Sequence, residues 1–337
     1  MADPGLARDC LFQLNVLIWA CWPQPPEAPV TPALRRAGYQ LFWIEQPLEA
    51  GLSVLARQRA SGLPIGPNPV ADAVLRRGDA FTLLECKPSS FSPASEASAQ
   101  ARGLIVAGAN LPARLPGLPG TASGEVCYLV PWEDTAAMDA TLMELASEVV
   151  GEGLAACPTG PLGLFVKEDG VYLGLSASPA GSARLSRVLI PEERVAAAEP
   201  GQDPRPLYVV PWIPDAPDGS DLTALREKLR AHTLAWLGRA PLGGEATFAF
   251  ADLLDEVSRG VFALWRDRRS LHGRVFPVIS GSLAALLGSD PRVTLRSDAL
   301  RVRLAAESDR EELMDRVRGM EPGRSREGMQ IPMSEEA

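Results

Sequence analysis

Asp72, Glu85 and Lys87 are the residues of this chain whose types and spacing could do chemistry together. Two carboxylates can hold a divalent cation, and an ammonium two residues beyond the second can orient a nucleophile or offset charge in a transition state. All three lie in the segment PVADAVLRRGDAFTLLECK. An acid two positions before a lysine is weak evidence by itself. With 42 acidic residues and only three lysines (Lys87, Lys167 and Lys228), one such match arises by accident about a third of the time. The scarcity of lysine cuts the other way. Arginine supplies the other 30 of 33 basic residues, so a position that keeps lysine is one that can use a compact ammonium with an adjustable pKa.

The elements around the three residues strengthen the case. Val70 to Leu75 and Ala80 to Lys87 read as strands joined by the turn Arg77-Gly78-Asp79. Alternation puts Phe81, Leu83, Glu85 and Lys87 on one face and Thr82, Leu84 and Cys86 on the other. A turn near Gly78 sets residues whose numbers sum to about 157 opposite each other, which pairs Asp72 with Glu85. Facing carboxylates repel unless a cation lies between them. Oxygen ligands favour Mg²⁺ or Mn²⁺ over zinc, and the Cys86 carbonyl offers a third oxygen. Asp79 is an alternative acid, but an aspartate in a Gly-Asp turn serves turn geometry alone.

An aspartate, about a dozen residues, then Glu-x-Lys on the second strand of a hairpin followed by a helix resembles the signature of the PD-(D/E)xK nucleases. The likeness covers roughly residues 35 to 135 and departs at Ala71, where the signature has proline. It implies an αβββαβ core that cuts DNA or RNA with Mg²⁺, with Asp72 and Glu85 holding the metal and Lys87 positioning the nucleophile. It further implies a glutamine or arginine on the following helix, for which Gln100 and Arg102 are candidates. A glutamate on the first helix would be Glu45 or Glu49.

The rest of the chain sets the frame. Residues 1 to 64 read as mainly helical, broken by the prolines of Trp22 to Pro32, with helical spacing resuming over Leu34 to Arg59. Ser92-Pro93 reads as the start of a helix to about Ala109, and Leu111 to Gly124 as an exposed loop. A buried strand (Glu125 to Trp132), an amphipathic helix (Thr135 to Gly151), a hairpin (Leu162 to Leu175), a strand (Leu207 to Trp212) and a helix (Asp221 to Leu237) follow. The order hairpin, Ser-Pro-Ala, loop, Tyr-x-Val-Pro-Trp occurs twice, matching Ser92 with Ser178 and Trp132 with Trp212. That pattern suggests a degenerate second α/β copy without acid-x-lysine, or strand-Pro-Trp corners recurring for packing. Phe248 to Trp265 and Pro277 to Leu287 read as helices and Val293 to Leu304 as a hairpin, the order of a winged-helix module.

The expected architecture is therefore α/β. A mixed central sheet with the nuclease core spans 1–155, the second α/β unit 156–243, a winged-helix-like basic module 244–319 and a frayed tail 320–337. Arg259 to Arg303 holds nine arginines against three aspartates, although the whole chain carries a net charge of −9. Local arginines could grip phosphates; the overall acidity suggests a protein partner, such as an ATPase or helicase. Trp132 and Trp212 are either core residues or platforms for bases. Five scattered cysteines and two distant histidines argue against zinc sites and histidine catalysis. No signal or membrane-spanning segment is evident, so a cytoplasmic DNA nuclease is expected. A role in defence or DNA processing is an analogy at the level of fold. The competing expectation is a non-catalytic subunit that keeps the fold and binds a partner.

Overall fold

The computed structural model describes residues 5–21, 33–48, 56, 60, 62–115, 117–175, 183, 185, 192–196, 208–213, 219–265 and 267–319. The chain divides into two compact units, residues 1–213 with 261–268, and residues 214–260 with 269–337.

The larger unit is built on one seven-stranded mixed sheet, in the order β1 (Gln40–Pro47), β2 (Val70–Arg77), β3 (Ala80–Cys86), β4 (Ser123–Pro131), β5 (Thr159–Lys167), β6 (Gly170–Leu175) and β7 (Glu192–Ala196). The three central strands β3, β4 and β5 are parallel neighbours; the outer pairs are antiparallel. Parallel neighbours need crossovers, supplied here by helices α3 (Glu96–Ala109) and α5 (Thr135–Gly151). Both cover the same face. Val74, Phe81, Leu83, Val126, Tyr128 and Val130 from the strands meet Leu104 and Ile105 of α3 and Met138, Leu142 and Leu145 of α5 in one buried core. Helix α1 (Cys10–Cys21) is buried almost all round and touches β1, β3 and β7. A helix apolar on every side has to be covered on every side.

Glycine sets how closely α3 lies on the sheet. A Cβ on Gly124 of β4 would come within 2.5 Å of the Gly108 carbonyl oxygen. Only two bare backbones can approach that closely.

Several expectations give way. The helical spacing from Leu34 contains only the short α2 (Ala33–Arg36); Gln40–Pro47 is strand β1, paired with β2 from Gln40↔Arg76 to Pro47↔Val70. Phe42, Trp43 and Ile44 are strand formers, and pairing satisfies their backbone. Helix α3 begins three residues after Pro93, with Ser95 at its N-cap. The expected loop after it holds α4 (Leu111–Arg114), whose Leu111 and Arg114 are buried. The hairpin assigned to a second α/β unit continues the same sheet as β5 and β6.

Tyr208 to Trp212 is buried but is not a strand. The carboxamide of Asn15 on α1 replaces a neighbouring strand. Its Oδ1 accepts from the amides of Val209 (2.7 Å) and Val210 (2.9 Å), and its Nδ2 donates to the Val210 carbonyl at 2.8 Å. Leu207, Ser178, the Trp22 to Pro32 stretch and the tail beyond 319 lie outside the described residues.

The smaller unit runs α6 (Gly219–Arg239), β8 (Gly244–Ala249), α7 (Phe250–Val257), α8 (Arg268–Leu287), β9 (Val293–Leu295), β10 (Ala299–Leu304) and α9 (Glu307–Arg318). Its antiparallel sheet has the order β8-β10-β9. The long helix expected over Phe248 to Trp265 is only α7, because Gly244–Ala249 pairs with β10. Helix α8 starts nine residues before Pro277 and accommodates that proline within it. Among the described residues, α8 alone is long and apolar enough to cross a membrane by those measures. Its Leu271, Val275, Ile279, Leu283 and Leu287 are buried along one side of the helix.

Candidate active site

The β2–β3 hairpin turns tightly at Gly78, whose φ of +61° suits glycine, and Arg77 pairs with Ala80. The ladder then runs through Val74↔Leu83 to Ala73↔Leu84. The ladder ends there, one residue before Asp72 on β2 and one before Glu85 on β3. The Cys86 amide donates to Asp72 Oδ2 at 2.7 Å. Amide and carbonyl of one strand residue point to the same side, so the Cys86 carbonyl also faces the Asp72 side. Cys10 Sγ on α1 approaches that carbonyl oxygen at 3.5 Å.

Glu85 is 2% exposed. Its Oε1 accepts from Lys87 Nζ at 2.8 Å and from Gln100 Nε2 on α3 at 2.9 Å. Gln100 also donates to the Val70 carbonyl at 3.2 Å, which ties α3 to both strands of the hairpin. Glu85 Oε2 is buried with no hydrogen-bond partner in the protein. Behind the site, Gln13 of α1 donates to the Lys87 carbonyl at 2.8 Å and the Ala7 carbonyl at 2.7 Å. Arg8 reaches the Pro88 carbonyl (3.0 Å), Glu133 (2.8 Å) and Asp134 (3.2 Å). These bonds pin the chain at Lys87 and Pro88.

The electrostatics follow from burying like charges together. Burial raises the pKa of Asp72, opposed by the Cys86 amide and by Lys87. Burial and then the Asp72 charge push Glu85 up to about 8. Burial works to lower Lys87, but the Glu85 charge and hydrogen bond outweigh it and the net shift is upward. Tyr128, the β4 partner of Glu85, is raised by burial and then by Glu85 and Asp72. Its hydroxyl is also buried without a partner.

Other candidates lie elsewhere. Arg102 pairs with Glu148 (2.7 Å) and donates to the carbonyls of Pro64 and Pro93, a role in packing. Glu45 lies on β1 rather than a helix, with φ +47°, and accepts from the Trp265 indole at 2.9 Å. Glu49 lies outside the described residues. Asp79, at the far end of the hairpin, accepts from Thr121. Trp212 is a core residue, whereas Trp132 is half-buried. In the smaller unit Arg292 is held by Asp290, Asp309 and Glu312, and Arg301 by Glu245. Counted over its whole span, that unit has more acidic than basic residues.

Sequence reasoning passed over Gln13, Cys10 and Tyr128. For Gln13 a signal existed: a carboxamide interrupting an otherwise apolar stretch has to find buried partners.

The residues present fit a small divalent cation. Two carboxylates disfavour each other in a buried place, and one oxygen of Glu85 has no partner. Among the described residues no group of three or more His, Cys, Asp or Glu is positioned to hold a metal. The oxygens the site offers are the carboxylates of Asp72 and Glu85 and the Cys86 carbonyl. That suits Mg²⁺, which binds through one or two carboxylates and completes its shell with water and substrate phosphate. Compared with protein-family models, curated proteins and solved structures, the chain matches none.

Proposed function

We propose that this chain is a Mg²⁺-dependent nuclease of the PD-(D/E)xK type that hydrolyses phosphodiester bonds, with DNA as the substrate. The observation that carries the reading is the convergence of Asp72, Glu85, Lys87 and Gln100 at one end of a buried hairpin, with Glu85 Oε2 left unpartnered. With the four-residue helices α2 and α4 set aside, the order α1, β1, β2, β3, α3, β4, with β4 parallel to β3, supports it, since the resemblance implies αβββαβ.

Asp72, Glu85 and the Cys86 carbonyl would hold the ion (Mn²⁺ could substitute). When bound, it supplies Lewis acidity to the phosphate and lowers the pKa of a water. Lys87 offsets charge developing on the phosphate oxygens and orients the attacking water. Gln100 holds the Glu85 carboxylate in one rotamer, and Gln13 fixes the backbone from which Lys87 projects. Purified protein with linear and circular DNA and RNA, in Mg²⁺ or Mn²⁺, tests the proposal. Wild type should cut and Lys87→Ala should not; equal behaviour on every substrate would refute it.

The smaller unit supports two readings. Its order α6, β8, α7, α8, β9, β10 and its β8-β10-β9 sheet support the winged-helix reading, in which the unit would contact DNA. Its paired arginines and excess of acidic residues favour docking on a protein partner such as an ATPase or helicase. Salt-dependent duplex binding by the full chain that survives charge reversal of Arg268 and Arg269 would count against the winged-helix assignment.

A further inference from the structure

We propose that Trp132, Phe165 and Tyr172, with Lys167 beside them, form a platform on which unpaired bases of a single-stranded nucleic acid stack. The inference rests on the nuclease reading for its class of ligand and narrows that class to strands with unpaired bases.

The platform shares a face with the candidate active site. Glu85 pairs with Tyr128, and Tyr128 with Pro161, in the parallel ladders of β3, β4 and β5. Alternation then places Glu85, Tyr128, Gly163, Phe165 and Lys167 on one side of the sheet. Because the three strands are parallel, Lys87, Trp132 and Lys167 all lie at their C-terminal edge. Adjacent strands are about 4.8 Å apart, so β5 lies about 10 Å from β3.

The rings run outward from β4 to β6. Trp132 lies over Gly163, where a Cβ would meet its ring at 2.5 Å. Its centroid is 5.3 Å from that of Phe165, and Phe165 stacks on Tyr172 at 5.4 Å with an interplanar angle of 8°. All three are half-buried. Lys167 Nζ lies 5.1 Å from the Phe165 centroid and 5.0 Å from that of Tyr172. Glycines flank the ring pair along both strands, in the rungs Gly163↔Gly174 and Lys167↔Gly170. A cross-strand aromatic pair needs neither the flanking glycines nor the continuation to Trp132.

The chemistry favours bases over phosphates. Every base has a π-face, and stacking on aromatic side chains tolerates any sequence. A duplex hides those faces. Glu133, Asp134, Glu168 and Asp169 stand near the rings, with Asp169 engaged by the Tyr172 hydroxyl at 2.7 Å. Arg8 holds Glu133 and Asp134, and Arg194 reaches the Asp169 carbonyl. Four carboxylates stand here against Arg8, Arg194 and Lys167, so the patch has no cationic excess for phosphates; ring area supplies the affinity and binding should depend only weakly on salt.

The test uses the full chain in EDTA, where the strand is not cut, with a fluorescent oligothymidine and a duplex of equal length. Anisotropy should show the single strand binding at least tenfold more tightly than the duplex. Phe165→Leu with Tyr172→Leu keeps apolar volume, removes both π-faces and should weaken single-strand binding at least tenfold while leaving the duplex unchanged. If that variant melts early, Trp132→Leu and Lys167→Gln take its place, with at least a threefold loss of single-strand binding and unchanged duplex binding expected from each. The proposal is overturned by an undetectable or duplex-like affinity, by folded variants that bind as wild type, or by a steep salt dependence. A wild-type chain that binds through these rings but cuts nothing would sink the nuclease reading and leave the platform standing.

Discussion

The amide of Cys86 donates to Asp72 Oδ2 over 2.7 Å, so the metal-binding candidate on one strand is fastened to the backbone of the next. The bond fixes Asp72 relative to Glu85, and it uses one carboxylate oxygen to do so. Asp72→Asn can still accept this bond while losing its charge. The variant should therefore fold with a melting temperature near wild type, yet lose at least about a hundredfold in cleavage rate. Asp72→Ala should also lose stability, by about 1–3 kcal/mol, because it leaves a buried amide unpaired. Urea unfolding of both variants checks the difference.

Glu85 gives a pH dependence with a definite sign. Its pKa in the folded protein, about 8, lies above the unfolded carboxylate value near 4.5. The folded state therefore binds more protons between those values, and stability falls as pH rises through that window, by at most about 1.4 kcal/mol per pH unit. Metal-free protein should melt progressively earlier from pH 5 to pH 8. Glu85→Gln should flatten the profile, and added Mg²⁺ should raise the melting temperature of wild type most at the alkaline end. A Glu85→Gln profile as steep as that of wild type would remove Glu85 as its source.

Gly124 and Gly108 let α3 rest on β4 backbone to backbone. Gly124→Ala should push the helix away and cost about 1–3 kcal/mol in denaturant unfolding. Gln100 rides on α3, so the same variant should weaken Mg²⁺ binding measured by calorimetry.

Asn15 supplies three hydrogen bonds to Val209 and Val210. Asn15→Leu fits the apolar surroundings but orphans those backbone groups, and it should cost at least about 2 kcal/mol. Hydrogen exchange should then quicken at Val209 and Val210 while the β3 amides stay protected.

The hairpin was legible because its determinants are local. Gly78 fixes the turn, the apolar run fixes two buried faces, and a two-residue period carries the register from the turn to Ala73 and Leu84, next to Asp72 and Glu85. Gln100 was legible in part, since only its place on the following helix could be inferred. Trp132 and Trp212 share a Val-Pro-Trp context and yet differ, one half-buried just past the C-terminal end of β4 and the other in the core.

What the sequence by itself determined is the hairpin that carries Asp72 and Glu85, its turn at Gly78, and the helix–strand punctuation from 123 to 175. The tertiary structure alone decided whether Gln40–Pro47 would be a strand, because a strand's backbone bonds come from a distant partner. It likewise decided that Tyr208 to Trp212 needs no strand partner, because Asn15 satisfies that backbone from almost two hundred residues away. Local spacing reports on neighbours along the chain. Which buried groups meet across it depends on packing the whole unit, and the unpartnered Oε2 of Glu85 is a result of that packing.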